Sequence, residues 1–158
     1  CWVGVADNRF ADYVFADCPR IACACVTIGE ELEQWGAELS ADGKLYDALI
    51  VDAIGTAAVE CAADAACQLI SQQLAQPLTR RFSPGYGGWP LTGQRELFAL
   101  LPDTCQVRLT EALMMVPQKS VSFVVGIGGS AESACAEPHF CEHCTHQACR
   151  YRRQSGTS

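Results

Sequence analysis

No run of about 18 apolar residues occurs anywhere in the chain, which excludes a membrane-spanning helix. Basic residues are scarce as well: 11 Lys and Arg stand against 18 Asp and Glu, a formal net charge of −7. Such a surface repels polyanions, so nucleic acid is not an expected partner. Arg150, Arg152 and Arg153 read as a short solvated cluster near the end of the chain. An initiator methionine is lacking at Cys1 and no signal peptide is recognisable, so the chain reads as processed or as an excerpt. Regular alternation of strand and helix patterns is also missing, which argues against a parallel βαβ sheet. What is abundant is apolar character, 49% of 158 residues, enough for one domain with or without a small appendage. Cysteine is abundant too. Eleven of them, an odd number scattered through alanine-rich stretches, fit reduced thiols in the cytoplasm better than a disulfide framework.

Residues 1–20 carry no clean period and can supply one short helix or strand. Ile21 to Ile28 is a continuous small and partly β-branched run ending at Gly29, the pattern of a buried strand. Cys23 and Cys25 share one face of it and read as core packing. Leu32, Trp35 and Leu39 predict an amphipathic helix over 30–39, broken by Ser40-Ala41-Asp42-Gly43, which can cap the next one. Leu45, Ala48, Leu49, Ala53, Ala57, Cys61, Ala65 and Leu69 then recur at helical spacing. They predict one helix over 44–75 with an alanine-rich apolar stripe against which neighbours can pack closely. Gly55 inside it signals close packing or ligand approach. Asp52, Thr56, Glu60 and Asp64 form a polar stripe, which as residues alone reads as a solvated helix face. Leu91-Thr92-Gly93-Gln94 starts a short helix ending near Leu101-Pro102, the pattern over 107–115 does not decide between strand and helix, and Val121 to Ile127 predicts a strand. Together these give an α+β fold: a mostly antiparallel sheet with a long helix and shorter flanking helices.

The stretch Arg81-Phe82-Ser83-Pro84-Gly85-Tyr86-Gly87-Gly88-Trp89-Pro90 interrupts the helices. Pro84 followed by Gly85 suits a type II turn, whose third position requires positive φ. Gly87-Gly88 leaves main chain uncovered, so a ligand can come close. Arg81 brings a planar guanidinium that can grip a carboxylate through two bonds. Tyr86 and Trp89 offer flat apolar surfaces against a ring or a sulfonium. The same composition is also that of an ordinary connector with a solvated arginine.

The string Arg81-x-x-x-Gly85-Tyr86 resembles the RxxxGY element of the activation domain of cobalamin-dependent methionine synthase. Leu109-Thr110-Glu111-Ala112-Leu113-Met114-Met115-Val116-Pro117, followed by Ser120-Val121-Ser122, is similar to a second block of that family. The resemblance runs from about Leu45 to Gly128, with both motifs in the family's order. It implies the family's α+β fold and a site for S-adenosylmethionine. Arg81 would hold the methionyl carboxylate, with Glu60 balancing positive charge. Gly85 and its neighbouring backbone, Ser83, Pro84 and Gly87 included, would receive the ligand, and Tyr86 would line the pocket. No residue is implied as catalytic, because cobalt carries the chemistry. The cobalamin-ligating motif Asp-x-His-x-x-Gly is absent, so the resemblance implies a corrinoid held by a partner methyltransferase or by methionine synthase modules. On this reading the chain is a free-standing activation subunit, a component of a methyltransferase rather than a complete enzyme. The acidic contacts that the family draws from before its long helix and just before RxxxGY have no evident counterpart here.

Composition changes after Gly129. Cys135, Cys141, Cys144 and Cys149, with His139, His143 and His146 between them, contain one CxxC pair, Cys141 and Cys144, with Cys149 following and either Cys135 or a histidine as fourth ligand. That favours zinc or an iron–sulfur cluster. The chain therefore divides into an activation-domain-like part, residues 1–129, and a Cys/His-rich tail, 130–158. The methionine synthase domain has no such tail. A cluster there could pass an electron to cobalt, with an electron donor as a further partner, whereas zinc would only staple the segment. The alternative function is a metal-binding redox or interaction module without methyl-donor binding.

Overall fold

Ile21 to Val26 carries only apolar side chains and cysteines, and it becomes the centre of a sheet buried on both faces. A computed structural model describes residues 1–12, 15–86 and 88–128. Within them lie β1 (Trp2–Asp7), β2 (Arg20–Thr27), α1 (Glu31–Ala41), α2 (Leu45–Leu74), α3 (Gly93–Phe98), β3 (Arg108–Leu109), β4 (Met115–Val116) and β5 (Ser120–Ile127). Gly87 and the tail cysteines Cys135, Cys141, Cys144 and Cys149 lie outside the described residues. The main sheet runs β1-β2-β5, antiparallel throughout, and β3 pairs with β4 in a short separate ladder. The fold is thus α+β with an antiparallel sheet.

Alternation along the strands divides the interior. Ala22, Ala24 and Val26 of β2 and Phe123, Val125 and Ile127 of β5 face α2, where Ala63, Ala66, Cys67 and Ile70 meet them. Small residues on both surfaces let the helix axis come close to the sheet. Ile21, Cys23, Cys25 and Val124 face the other way, against Phe10, Phe82, Trp89, Leu97 and Leu101. Full burial of a side chain such as Phe123 or Leu97 contributes about 1.5–3 kcal/mol.

Two expectations need correction. The stripe at Leu45, Leu49, Ala53, Ala57, Cys61, Ala65 and Leu69 faces solvent, and the buried face of α2 is Val51, Gly55, Val59, Ala63, Ala66, Cys67 and Ile70. Apolar residues flank the polar stripe of this helix on both sides, so spacing alone does not choose its face; the sheet and α1 do. The turn before it supplies no side-chain cap either, since Lys44 occupies the N-cap without such a bond.

Beyond β5 the sheet continues only in part. Leu78 bridges Ile127 and Phe82 bridges Val124, four steps along one segment against three along the other. The segment therefore carries one extra residue, a bulge, which reverses the alternation. Leu78 packs under α2, while Phe82 packs on the opposite face. Thr79 Oγ1 accepts the Gly126 N–H at 2.8 Å and repairs the ladder there. Phe82 and Val124 exchange both main-chain bonds, and past them the segment departs. Among the described residues the outer edge of β5 at Ser122 and Ser120 has no strand partner.

Candidate functional site

Where that edge lies open, a groove of about 790 Å³ forms between α2, the 80–91 loop, the β3–β4 hairpin and β5. The bulge places Arg81 on the α2 side of the groove. Its Nη2 donates to Asp64 Oδ1 at 2.7 Å and to Glu60 Oε2 at 3.2 Å. The guanidinium carbon also sits 5.5 Å from the centroid of the Phe123 ring. The arginine side chain is 22% exposed and each carboxylate 55%. One nitrogen holds both acids, so the other guanidinium nitrogens keep donors for an incoming carboxylate. The polar stripe of α2 is therefore more than a solvated face. Its other half, Asp52 and Thr56, receives Lys119 Nζ at 2.7 and 3.0 Å. Gly55 is explained by that clasp, because a Cβ there would stand 3.1 Å from Lys119 Cε.

The loop folds by two turns. Tyr86 N–H donates to the Ser83 carbonyl at 3.3 Å, with Pro84 and Gly85 between them and φ of +95° at Gly85. This is the type II turn that Pro-Gly predicts. Trp89 N–H donates to the Tyr86 carbonyl at 2.9 Å, with φ of +89° at Gly88, and Gly85 N–H closes the loop onto the Trp89 carbonyl at 2.8 Å. The amides of Gly85 and Tyr86 are consequently used inside the loop. Ser83 donates from Oγ to the Ser122 carbonyl at 2.8 Å and joins the loop to the open edge of β5. Glu60, Arg81, Ser83, Pro84 and Tyr86 line the groove together, while Gly85 shapes the bend without lining it.

Trp89 does not serve as a ligand platform. It is 2% exposed, with its ring centroid 4.7 Å from that of Phe10 and stacked at 6.3 Å on Phe82. It anchors the loop from beneath, and Tyr86, 59% exposed, remains at the rim. Leu91, Leu113, Met114 and Met115 give the groove an apolar wall. Gln94 and Ser122, buried and bonded to each other, also line it.

Asp64 and Gln94 line the groove although motif reading alone passes over them, and Ser122, part of the second motif, lines it without having been singled out. A second acid four residues after Glu60 was the available signal for Asp64. Cys23 and Cys25 are core thiols, as expected, with burial pushing each up to about 12. All seven described cysteines are free thiols. Among the described residues no group of three or more His, Cys, Asp or Glu could hold a metal ion. Nor is any described helix long and apolar enough to cross a membrane.

No protein-family model matches the sequence, and no curated protein matches it. Among solved structures the chain is similar to the crystal structure of the MetH reactivation domain bound to AdoHcy. The TM-score is 0.60 at 20% identity, covering 73% of this chain and 41% of that one. The chain thus spans about two fifths of that neighbour's length. The α+β antiparallel fold described above is the fold of that reactivation domain.

Proposed function

We propose that the chain is an S-adenosylmethionine-binding activation subunit that supports reductive remethylation of cob(II)alamin in a corrinoid-dependent methyltransferase, methionine synthase being the favoured partner. The observation that carries this reading is the groove itself, charged at its Arg81 end and apolar along its wall. A carboxylate can meet Arg81, and an ammonium or sulfonium can meet Glu60 and Asp64. The volume lies within the 300–1,000 Å³ typical of sites for ligands of this size. The fold neighbour was crystallised with AdoHcy, the demethylated form of the same methyl donor, which supports the assignment.

When bound, S-adenosylmethionine supplies an electrophilic methyl group. The chain's own residues bind and orient. Arg81 and the two acids fix the amino-acid end, Ser83 holds the loop against β5, and Trp89 keeps the bend rigid from the core. The corrinoid would belong to a partner protein, and Tyr86 and Met114, both exposed, stand at the open rim of the groove where a methyl acceptor could approach. Cys135, Cys141, Cys144 and Cys149 would carry zinc or an iron–sulfur cluster in a separate tail, the second taking electrons from a donor protein. Free thiols throughout the described part favour the cytoplasm.

Calorimetric titration with S-adenosylmethionine tests the reading. Binding should weaken about 30-fold in Arg81→Ala, the scale of a charge-assisted contact. No heat from the wild type, or unchanged affinity in the variant, overturns it. A second reading, a metal-binding redox or interaction module without the methyl donor, draws on one observation: Arg81 is already matched by two carboxylates. Absence of heat together with a brown, iron-containing protein would select it.

A further inference from the structure

At the groove, Gln94 and Ser122 form a neutral polar pair among apolar side chains. Gln94 Nε2 donates to Ser122 Oγ at 2.8 Å, and the two residues are 4% and 3% exposed. That single bond leaves the Gln94 carbonyl oxygen with its lone pairs and the Ser122 hydroxyl with its proton. The register adds a third group: like Val124, Ser122 turns its main-chain N–H to the outer edge of β5. Buried polar groups left without partners are costly, and native interiors hold few of them. Turning the amide over exchanges the roles, and the pair still offers one donor beside one acceptor.

The charges of Arg81, Glu60 and Asp64 suit an amino-acid zwitterion. The Gln94–Ser122 pair, with Leu91, Met115 and Val121 also lining the groove, suits something else. It fits a neutral heteroaromatic ring with apolar faces and an N–H donor beside a ring-nitrogen acceptor on one edge. A 6-aminopurine carries both, and glutamine reads that edge with two bonds. We propose that Gln94 and Ser122 are the specificity-determining residues for the adenine base, reading its 6-amino edge. The assignment rests on the proposed function above and adds which ligand atoms the site selects.

The test compares two ligands by calorimetry: S-adenosylhomocysteine, and its analogue with hydrogen in place of the 6-amino group. Wild type should prefer the first at least tenfold, as a site built to bond an N–H rejects a ligand lacking it. Gln94→Met should bind the two about equally, and Ser122→Ala should shrink the ratio independently. Arg81→Ala should weaken both ligands and leave the ratio intact. Equal binding of both ligands by wild type, or a wild-type ratio in both Gln94→Met and Ser122→Ala, overturns the base-reading role while the proposed function stands. Binding of neither ligand by wild type overturns both. The wild-type ratio needs no variant, so misfolding of either substitution does not remove the test.

Discussion

Asp64 stands closer to Arg81 Nη2 than Glu60 does, 2.7 Å against 3.2 Å, although both reach it from successive turns of α2. The two acids share one donor group, and each remains half in water. Asp64→Asn should therefore cost less than about 1 kcal/mol in a denaturant titration, the range of exposed pairs. That cost should shrink further as salt is raised. A loss of several kcal/mol would mean that the pair holds the fold rather than the site.

Gly55 presents a cleaner stability experiment. Alanine in a helix interior is ordinarily about 1 kcal/mol better than glycine. Here the new methyl meets the Lys119 stem, which is 14% exposed and tied to Asp52 and Thr56. Gly55→Ala alone should gain nothing or lose about 1 kcal/mol, whereas in a Lys119→Ala background it should gain about 1 kcal/mol. Thermal melts of the four proteins close the cycle.

Trp89 and Tyr86 should separate stability from binding. Trp89→Ala removes a fully enclosed indole and should cost about 3–5 kcal/mol. Tyr86→Ala should leave the melting temperature within about 2 °C, since its ring lies mostly in solvent, and should change only methyl-donor affinity. Equal destabilisation by both would contradict the placement of Trp89 beneath the loop.

The thiols of Cys23 and Cys25 should be silent toward iodoacetamide at pH 8 in the native protein, while the exposed Cys1 and Cys61 react; mass spectrometry of the labelled chain reads this out. Burial raises both buried thiols from 9.0 to about 12, with the neighbouring Cys105 adding to the effect at Cys25. The unfolded chain then gives up these protons near pH 9 and the native one only near 12. Between those values the native state binds more protons, so stability falls as pH rises. Serine at both positions should flatten that part of the curve.

Elements with local punctuation were legible in the sequence, and choices made by distant partners were not. Gly43 and Pro77 bracket α2, and its ends fall at 45 and 74, within a residue of the expected 44–75. Its buried face was illegible because Leu69 and Ile70 are equally apolar, and only the surface of Ala22 and Ala24 decides between them. Pro84-Gly85 announces its own turn. Trp89 looks the same in sequence whether it faces a ligand or Phe10, which arrives from the other end of the domain. β1 was hidden by its weak alternation around Gly4, and the 107–115 stretch became two strands too short for any period to mark. Gln94 and Ser122 are 28 residues apart and meet only when the sheet edge is built.

The departure of the chain after Phe82 has a consequence for how this groove tolerates change. Its floor at Ser122 is main chain left over from a strand that stops early, so side-chain replacement along β5 leaves that floor standing. Alanine scanning there will under-report its importance; proline at Ser122, which removes the outward N–H, or a peptide that completes the strand, will reveal it.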